Sequence, residues 1–181
     1  SANGARSRIE PVPAMPLAEL RSLAEDLAVK AGAGALAGRR SLGIGQIVGY
    51  DTKSTPTDPV TEFDRAAEQL IVDAIRAHRP DDAIVGEEGA DHAGTSGLEW
   101  HIDPIDGTAN FVYDLGAWCT SVAIVDADGP LVGAVYAPVT DELYSAARGA
   151  GATLNGTAIH CSPATDLAHA LLGTGFGYAA D

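Results

Sequence analysis

The stretch Trp100-His101-Ile102-Asp103-Pro104-Ile105-Asp106-Gly107-Thr108-Ala109-Asn110-Phe111 constrains this chain most. Trp100 to Asp103 reads as the end of a strand. Pro104 has no N–H to offer a ladder, so the strand is expected to stop there. Thr108 to Phe111 is placed to open a short helix, with Asp106 as its cap and Gly107 letting the backbone approach a ligand. Such a turn aims two carboxylates, Asp103 and Asp106, and several backbone N–H groups at one spot. Carboxylates bind hard cations, and N–H groups at a helix start bind phosphate. One site offering both suits a metal-held phosphate ester. Asp-Pro and Asp-Gly are also ordinary turn dipeptides, so a capped turn at a strand end is the plain alternative for Asp-Gly-Thr taken alone.

Charge narrows the partners. The formal net charge of −14 over 181 residues argues against a nucleic-acid backbone, because affinity for phosphodiesters comes from clustered Lys and Arg. An anionic substrate then needs local neutralisation of the acids, and a divalent cation is the simplest device. At 46% hydrophobic residues the chain can bury a core as one globular domain. No apolar run reaches the ~18 residues of a membrane span. Residues 1–16 are small, polar and Pro-containing, without the apolar core of a signal peptide. They read as a tag remnant or loose arm ahead of one domain over 17–181. Cys119 and Cys161 make no disulfide framework. Both are expected as free, buried small residues in a reducing cytoplasm.

Apolar spacing predicts an amphipathic helix over 17–36, with Gly32, Gly34 and Gly38 fraying its end. A Gly-, Ser-, Thr- and Pro-rich loop containing Lys53 follows over 41–58. A second helix is expected over 61–78. It opens on a capping box in which Asp64 takes the place of the usual Glu, and Pro80 closes it. Residues 83–85 read as a short strand ending in Gly86-Glu87-Glu88-Gly89. Strands are expected at 118–125, 131–137 and 143–147. A hairpin over 152–154 and 158–161 turns at Asn155-Gly156, and a last strand covers 170–174. Two helices followed by a meander of strands is an α+β pattern, with helices on an antiparallel sheet.

Glu87 and Glu88 fall at one strand end, Asp103 and Asp106 at another, and Asp64 at a helix start. If Glu87, Asp103 and Asp106 meet, like charges ~4 Å apart cost about 1 kcal/mol in water and about 4 at an effective dielectric of 20. A fold keeps such a cluster when a cation offsets the repulsion. Each piece alone has a plainer reading: a solvated loop for Glu87-Glu88, a helix cap for Asp64, the surface for Lys53. The five histidines show no metal spacing.

The central stretch resembles the signature of the inositol monophosphatase family of magnesium-dependent sugar-phosphate phosphatases. The resemblance extends over Lys53-Ser54-Thr55-Pro56 with Asp58, Val60, Thr61 and Asp64, then Gly86-Glu87-Glu88, Gly151-Ala152 with Asn155-Gly156, and Thr174-Gly175-Phe176. It implies that Glu87, Asp103 and the carbonyl of Ile105 hold a first Mg²⁺ and that Asp103 and Asp106 hold a second. Glu87 helps a weaker third. It further implies that Asp64 and Thr108 orient and deprotonate the attacking water, and that the Gly107 and Thr108 amides bind phosphate beside Asp106. Ca²⁺ or Mn²⁺ are implied as substitutes and Li⁺ as an inhibitor.

The implied function is hydrolysis of inositol monophosphate or a related polyol phosphate by a homodimer. Relatives in the superfamily act on histidinol phosphate, fructose 1,6-bisphosphate or phosphoadenosine phosphate, and some bind nucleic-acid-processing machinery, which keeps a protein-interaction module as the alternative of another class. Gly116 stands where the family usually has proline. The chain resembles the family's amino-terminal domain. The implied second domain, with a further metal-binding aspartate, lies beyond Asp181, so the chain by itself is expected to be a weak phosphatase.

Overall fold

The structure is a computed structural model that describes residues 15–52, 59–171 and 173. Residues 1–14 of the loose arm expected over 1–16, Lys53 with Ser54, Thr55, Pro56 and Asp58, and the Thr174-Gly175-Phe176 segment all lie outside the described residues.

The first helix, α1 (Leu17–Ser41), is longer than the apolar pattern predicted. The glycines expected to fray it sit inside it, and close packing explains two of them. A Cβ on Gly32 would come within 2.9 Å of the Tyr136 ring, and one on Gly38 within 2.3 Å of the Phe63 ring. They are the points where α1 lies flush on its neighbours. The segment read as a loop over 41–58 carries a short strand, β1 (Tyr50–Thr52), which pairs in antiparallel register with β2 (Pro59–Thr61) just beyond it. Only three residues on each side pair, too few for an alternation to show.

Helix α2 (Glu62–His78) begins as expected. Thr61 accepts from the backbone N–H groups of Phe63 and Asp64, and the Asp64 carboxylate accepts from the Thr61 N–H. The seven-stranded sheet then runs in chain order: β3 (Ala83–Gly86), β4 (Glu99–Asp106), β5 (Cys119–Asp126), β6 (Gly129–Ala137), β7 (Glu142–Ala147), β8 (Gly151–Leu154) and β9 (Thr157–Ile159). Every pair is antiparallel except β3 with β4, which is parallel. The fold is α+β, with helices against a mixed sheet.

Three further differences from the expected elements have local causes. Strand β4 does not stop at Pro104; it continues to Asp106, which pairs with Cys119, and the register shifts between Asp103 and Asp106. The irregularity lets a residue without an N–H sit in a strand, and the Pro104 carbonyl is taken up by the Thr120 hydroxyl at 2.8 Å. Residues 170 and 171 form no strand; a 3₁₀ turn at Leu167–His169, capped by Asp166, precedes them. Cys161 is exposed and Cys119 only half-buried, so neither is the buried residue expected.

One face of the sheet carries the main core. Trp100 and Ile102 of β4, Val122 and Ile124 of β5, and Val132 and Ala134 of β6 meet Leu27 and Ala31 of α1 and Ile71 and Ile75 of α2. Each Leu, Ile or Val so buried contributes about 1.5–3 kcal/mol. A second, smaller cluster holds Ala35, Val48, Ile105, Phe111, Val112 and Trp118, with Phe63 packed against it. Its rings meet edge to face, Phe63 on Phe111 at 5.5 Å and Phe111 on Trp118 at 5.0 Å. This cluster lies directly beneath the Asp103–Thr108 stretch.

Candidate active site

Side chains alternate across a strand, so burying Trp100 and Ile102 on the helix side sends His101 and Asp103 to the opposite face. There Asp103 lines a shallow groove of about 250 Å³ together with Val85, Gly86, Glu87, His101, Ser121 and Ala123. The parallel pairing of β3 with β4 delivers Glu87 to this spot, since Gly86 pairs with Ile102 and the Glu87 N–H donates to the Ile102 carbonyl at 3.1 Å. Glu87 and Asp103, from strands the chain connects only through a polar loop, therefore share one groove.

Gly107 follows β4 with φ of 93°, in the left-handed region that favours glycine. A Cβ there would also stand 3.0 Å from the Ala117 carbonyl. Gly107 is the cap of α3 (Thr108–Val112); Asp106, expected in that place, is not, and no side chain caps this helix. The first-turn N–H groups of α3 thus have no capping side chain. Asp106 is exposed and accepts from the Cys119 thiol, Sγ to Oδ2 3.6 Å. Burial, the charge and hydrogen bond of Asp106, and the charge of Asp103 push the Cys119 thiol up to about 12. It therefore stays protonated near neutral pH and is a poor nucleophile.

Asp64 and Thr108 lie 44 residues apart and are brought into contact. The Thr108 hydroxyl lies 3.2 Å from Asp64 Oδ1 and 2.9 Å from the Ile105 carbonyl oxygen. The other Asp64 oxygen accepts from the Thr61 N–H at 2.9 Å and from the Thr61 hydroxyl at 2.5 Å. Both Asp64 and Thr108 are buried. Burial pushes the Asp64 carboxyl above its ordinary value, against the hydrogen bonds from Thr61 and Thr108 that favour its charged form. A buried carboxylate with raised proton affinity, bonded to a hydroxyl, is the pairing expected of a general base acting through a threonine.

Among the described residues, no group of three or more His, Cys, Asp or Glu side chains is assembled in a form that could hold a metal ion. The structure brings Glu87 to Asp103 and Asp64 to Thr108; Asp106 stands on the far side of the bulge, at Cys119. The donors this region offers are oxygens throughout: two carboxylates in one groove, a third on the same strand, and the Ile105 carbonyl, which keeps one of its two lone pairs after bonding Thr108. Oxygen donors of this kind fit a hard cation such as Mg²⁺.

A family model described as the inositol monophosphatase family matches residues 17–181. The chain belongs to the inositol monophosphatase family. It is 41% identical over 176 residues to the inositol-1-monophosphatase SuhB of Mycobacterium tuberculosis H37Rv, covering 89% of this chain and 60% of that protein. A Salmonella typhimurium protein named Nus factor SuhB is 43% identical over 124 residues, covering 68% of this chain and 46% of its own length. The solved structure of Mycobacterium tuberculosis SuhB superposes with a TM-score of 0.72 at 38% identity, over 89% of this chain and 59% of that one. The chain thus spans about 60% of the mycobacterial relative's length.

Among the described residues, Arg39, Glu68 and Asp82 are buried charges that the sequence motifs did not single out, and the first two lie near the site. Arg39, near the end of α1, donates to the Phe111 carbonyl at 3.0 Å and the Gln46 carbonyl at 2.6 Å, and pairs with Asp114. It ties the helix carrying Thr108 to α1. Glu68 is 5% exposed and accepts from the Glu88 N–H at 3.1 Å. The signal for Glu68 was present in the sequence. Asp64, Glu68, Ile71 and Ile75 follow a four-, three- and four-residue spacing, so an acid one turn after Asp64 falls on the face that those isoleucines bury.

Proposed function

We propose that the chain is the metal- and phosphate-binding part of a Mg²⁺-dependent phosphomonoesterase that acts on inositol monophosphate or a related polyol phosphate. One observation carries the reading. A buried Asp64–Thr108 pair, the Ile105 carbonyl and the groove shared by Glu87 and Asp103 are gathered around the bulge of β4. Glu87, Asp103 and the Ile105 carbonyl would hold one Mg²⁺, Asp103 and Asp106 a second, with Glu87 contributing to a third. Bound there, Mg²⁺ supplies Lewis acidity to the attacking water and to the leaving oxygen.

The chain's own groups do the rest. Thr108 would accept a hydrogen bond from the water while its single proton, which faces both the Ile105 carbonyl and Asp64 Oδ1, turns to Asp64; this orients the water and gives its proton a destination. The amides of Gly107 and Thr108, beside Asp106, steady the phosphate oxygens on which charge develops. No residue need form a covalent phosphoenzyme. By family resemblance Ca²⁺ or Mn²⁺ would substitute, Li⁺ would inhibit, and the working form would be a cytoplasmic homodimer.

The test is phosphate release by the 181-residue chain with inositol 1-phosphate, histidinol phosphate, fructose 1,6-bisphosphate and phosphoadenosine phosphate, with and without Mg²⁺. The expected result is slow release that requires Mg²⁺ and is fastest on the inositol ester. Absence of any Mg²⁺-dependent release, together with no thermal stabilisation by Mg²⁺, would contradict the proposal.

A second reading has one observation in its favour, the Salmonella relative named a Nus factor. It is a protein-interaction module that retains the motif. At −14 its partner would be protein rather than nucleic acid. Such a module need gain no stability from Mg²⁺, so the same titration separates the two.

A further inference from the structure

We propose that Glu68 is a positioning residue. It anchors the Gly86–Gly89 turn to α2 and so fixes where Glu87 presents its carboxylate. The inference rests on the reading of Glu87 as a cation ligand and deepens it.

Glu68 is almost wholly buried, which is unusual for a glutamate because taking a carboxylate out of water is costly unless something bonds it. Its Oε1 accepts the Glu88 N–H at 3.1 Å. It also lies against the strand end itself. A Cβ built on Gly86 would stand 1.9 Å from that same oxygen and 2.9 Å from the Glu68 carboxyl carbon. Gly86 is not among the glycines with positive φ. The backbone there suits other residues, and what calls for glycine is the room the Glu68 carboxylate occupies.

The turn is therefore held from two directions. The Glu87 N–H bonds the Ile102 carbonyl of β4 at 3.1 Å, and the next N–H, that of Glu88, bonds Glu68 on α2. Glu87 sits between the two anchors, and its side chain reaches the groove it shares with Asp103. The anchor on α2 has a further consequence. Asp64 lies one turn before Glu68 on the same buried face, so one helix places both the base beside Thr108 and the turn that carries Glu87.

The test compares Glu68→Gln, which keeps an oxygen acceptor of the same length, with Glu68→Ala and Glu68→Asp, which remove or withdraw it. Two quantities are read: amide hydrogen exchange at Glu88 in metal-free protein, and the Mg²⁺ concentration giving half-maximal thermal stabilisation. The expected result is faster Glu88 exchange in Glu68→Ala and Glu68→Asp, with the Mg²⁺ requirement raised about 10-fold or more, the size typical of lost support behind a metal ligand. Glu68→Gln should stay near the parent in both. Where the Ala variant does not fold, the Asp variant carries the comparison.

Unchanged Glu88 exchange in the Asp variant overturns the anchor. Faster exchange with an unchanged Mg²⁺ requirement overturns the positioning role. Equal losses in Gln and Asp variants overturn it too, since the acceptor would then not be what matters. A parent that shows no response to Mg²⁺ overturns the cation reading of Glu87. The two failures are distinguishable, because Glu88 exchange is measured without metal.

Discussion

The two ends of β4 obey opposite rules. At the Trp100 end the strand is regular, paired in parallel with β3 and antiparallel with β5, and its side chains fill the main core. A buried acid packed there, Asp82, is satisfied: Arg79 grips it with two hydrogen bonds of 2.8 and 2.9 Å, and the Trp100 indole N–H donates at 2.9 Å. At the other end the register breaks, three acidic or carbonyl donors follow one another from Asp103 to Asp106, and the helix after them begins on a left-handed glycine.

The contrast shows most clearly in two buried aspartates. For Asp82, burial acts to raise the carboxyl, but the hydrogen bonds from Arg79, Ser96 and Trp100 and the Arg79 charge prevail, and its value falls below the ordinary one. For Asp64, burial prevails over the hydrogen bonds of Thr61 and Thr108, and its value is raised. Beside one end of the strand a buried carboxylate is held in its charged form, and beside the other burial disfavours that form.

The largest effect should come from the stable end. Trp100→Ala empties a fully buried site and should cost about 3–5 kcal/mol in a denaturant titration. In a chain extended through the second domain that the family resemblance implies, Thr108→Ala, at the other end, should lower kcat about 100-fold, equivalent to about 2.7 kcal/mol, with KM little changed. Steady-state phosphate release checks it, and an unchanged kcat would remove Thr108 from the chemistry. Gly107→Ala acts at that same irregular end. The left-handed backbone should cost about 1–2 kcal/mol, and the crowding against Ala117 should add to that, read as a lowered Tm.

The smallest effects are in the pH dependence. Asp82 has a folded value below its unfolded one, so its contribution is present above the unfolded value and lost as pH falls through the folded one. Asp82→Asn should flatten the acid limb of stability below the ordinary carboxylate range. Asp64 has the opposite sign. Its folded value lies above the unfolded one, so it favours the fold below the unfolded value and that benefit is lost as pH rises through the folded one. Asp64→Asn should therefore relieve a cost at neutral pH while abolishing activity. Denaturation curves from acid to neutral pH check both, and limbs of the same sign would dissolve the comparison.

The same division governs what the sequence disclosed. The capping box of Thr61 and Asp64, the β5–β8 meander and the Asn155-Gly156 turn follow local rules, and the residues announce them. What stayed hidden depends on tertiary contacts. Gly32 and Gly38 looked like helix breakers because the rings of Tyr136 and Phe63 that they accommodate come from distant segments. Pro104 looked like a strand end because a bulge, not a periodicity, carries β4 past it. The residue types of the candidate site were legible, as was the pairing of Asp64 with Thr108 through the family resemblance. Glu68 was legible in its spacing from Asp64, Ile71 and Ile75, whereas Arg39 was not, because the carbonyls of Gln46 and Phe111 that it bonds lie beyond α1.

The most direct measurement is a Mg²⁺ titration of thermal stability on the parent chain and on Asp103→Asn, the residue at which β4 passes from one regime to the other. The account predicts that the parent Tm rises with Mg²⁺ by mass action and that the variant folds but does not respond. A variant that responds like the parent would contradict the assignment of the Asp103 end of β4 as a cation site.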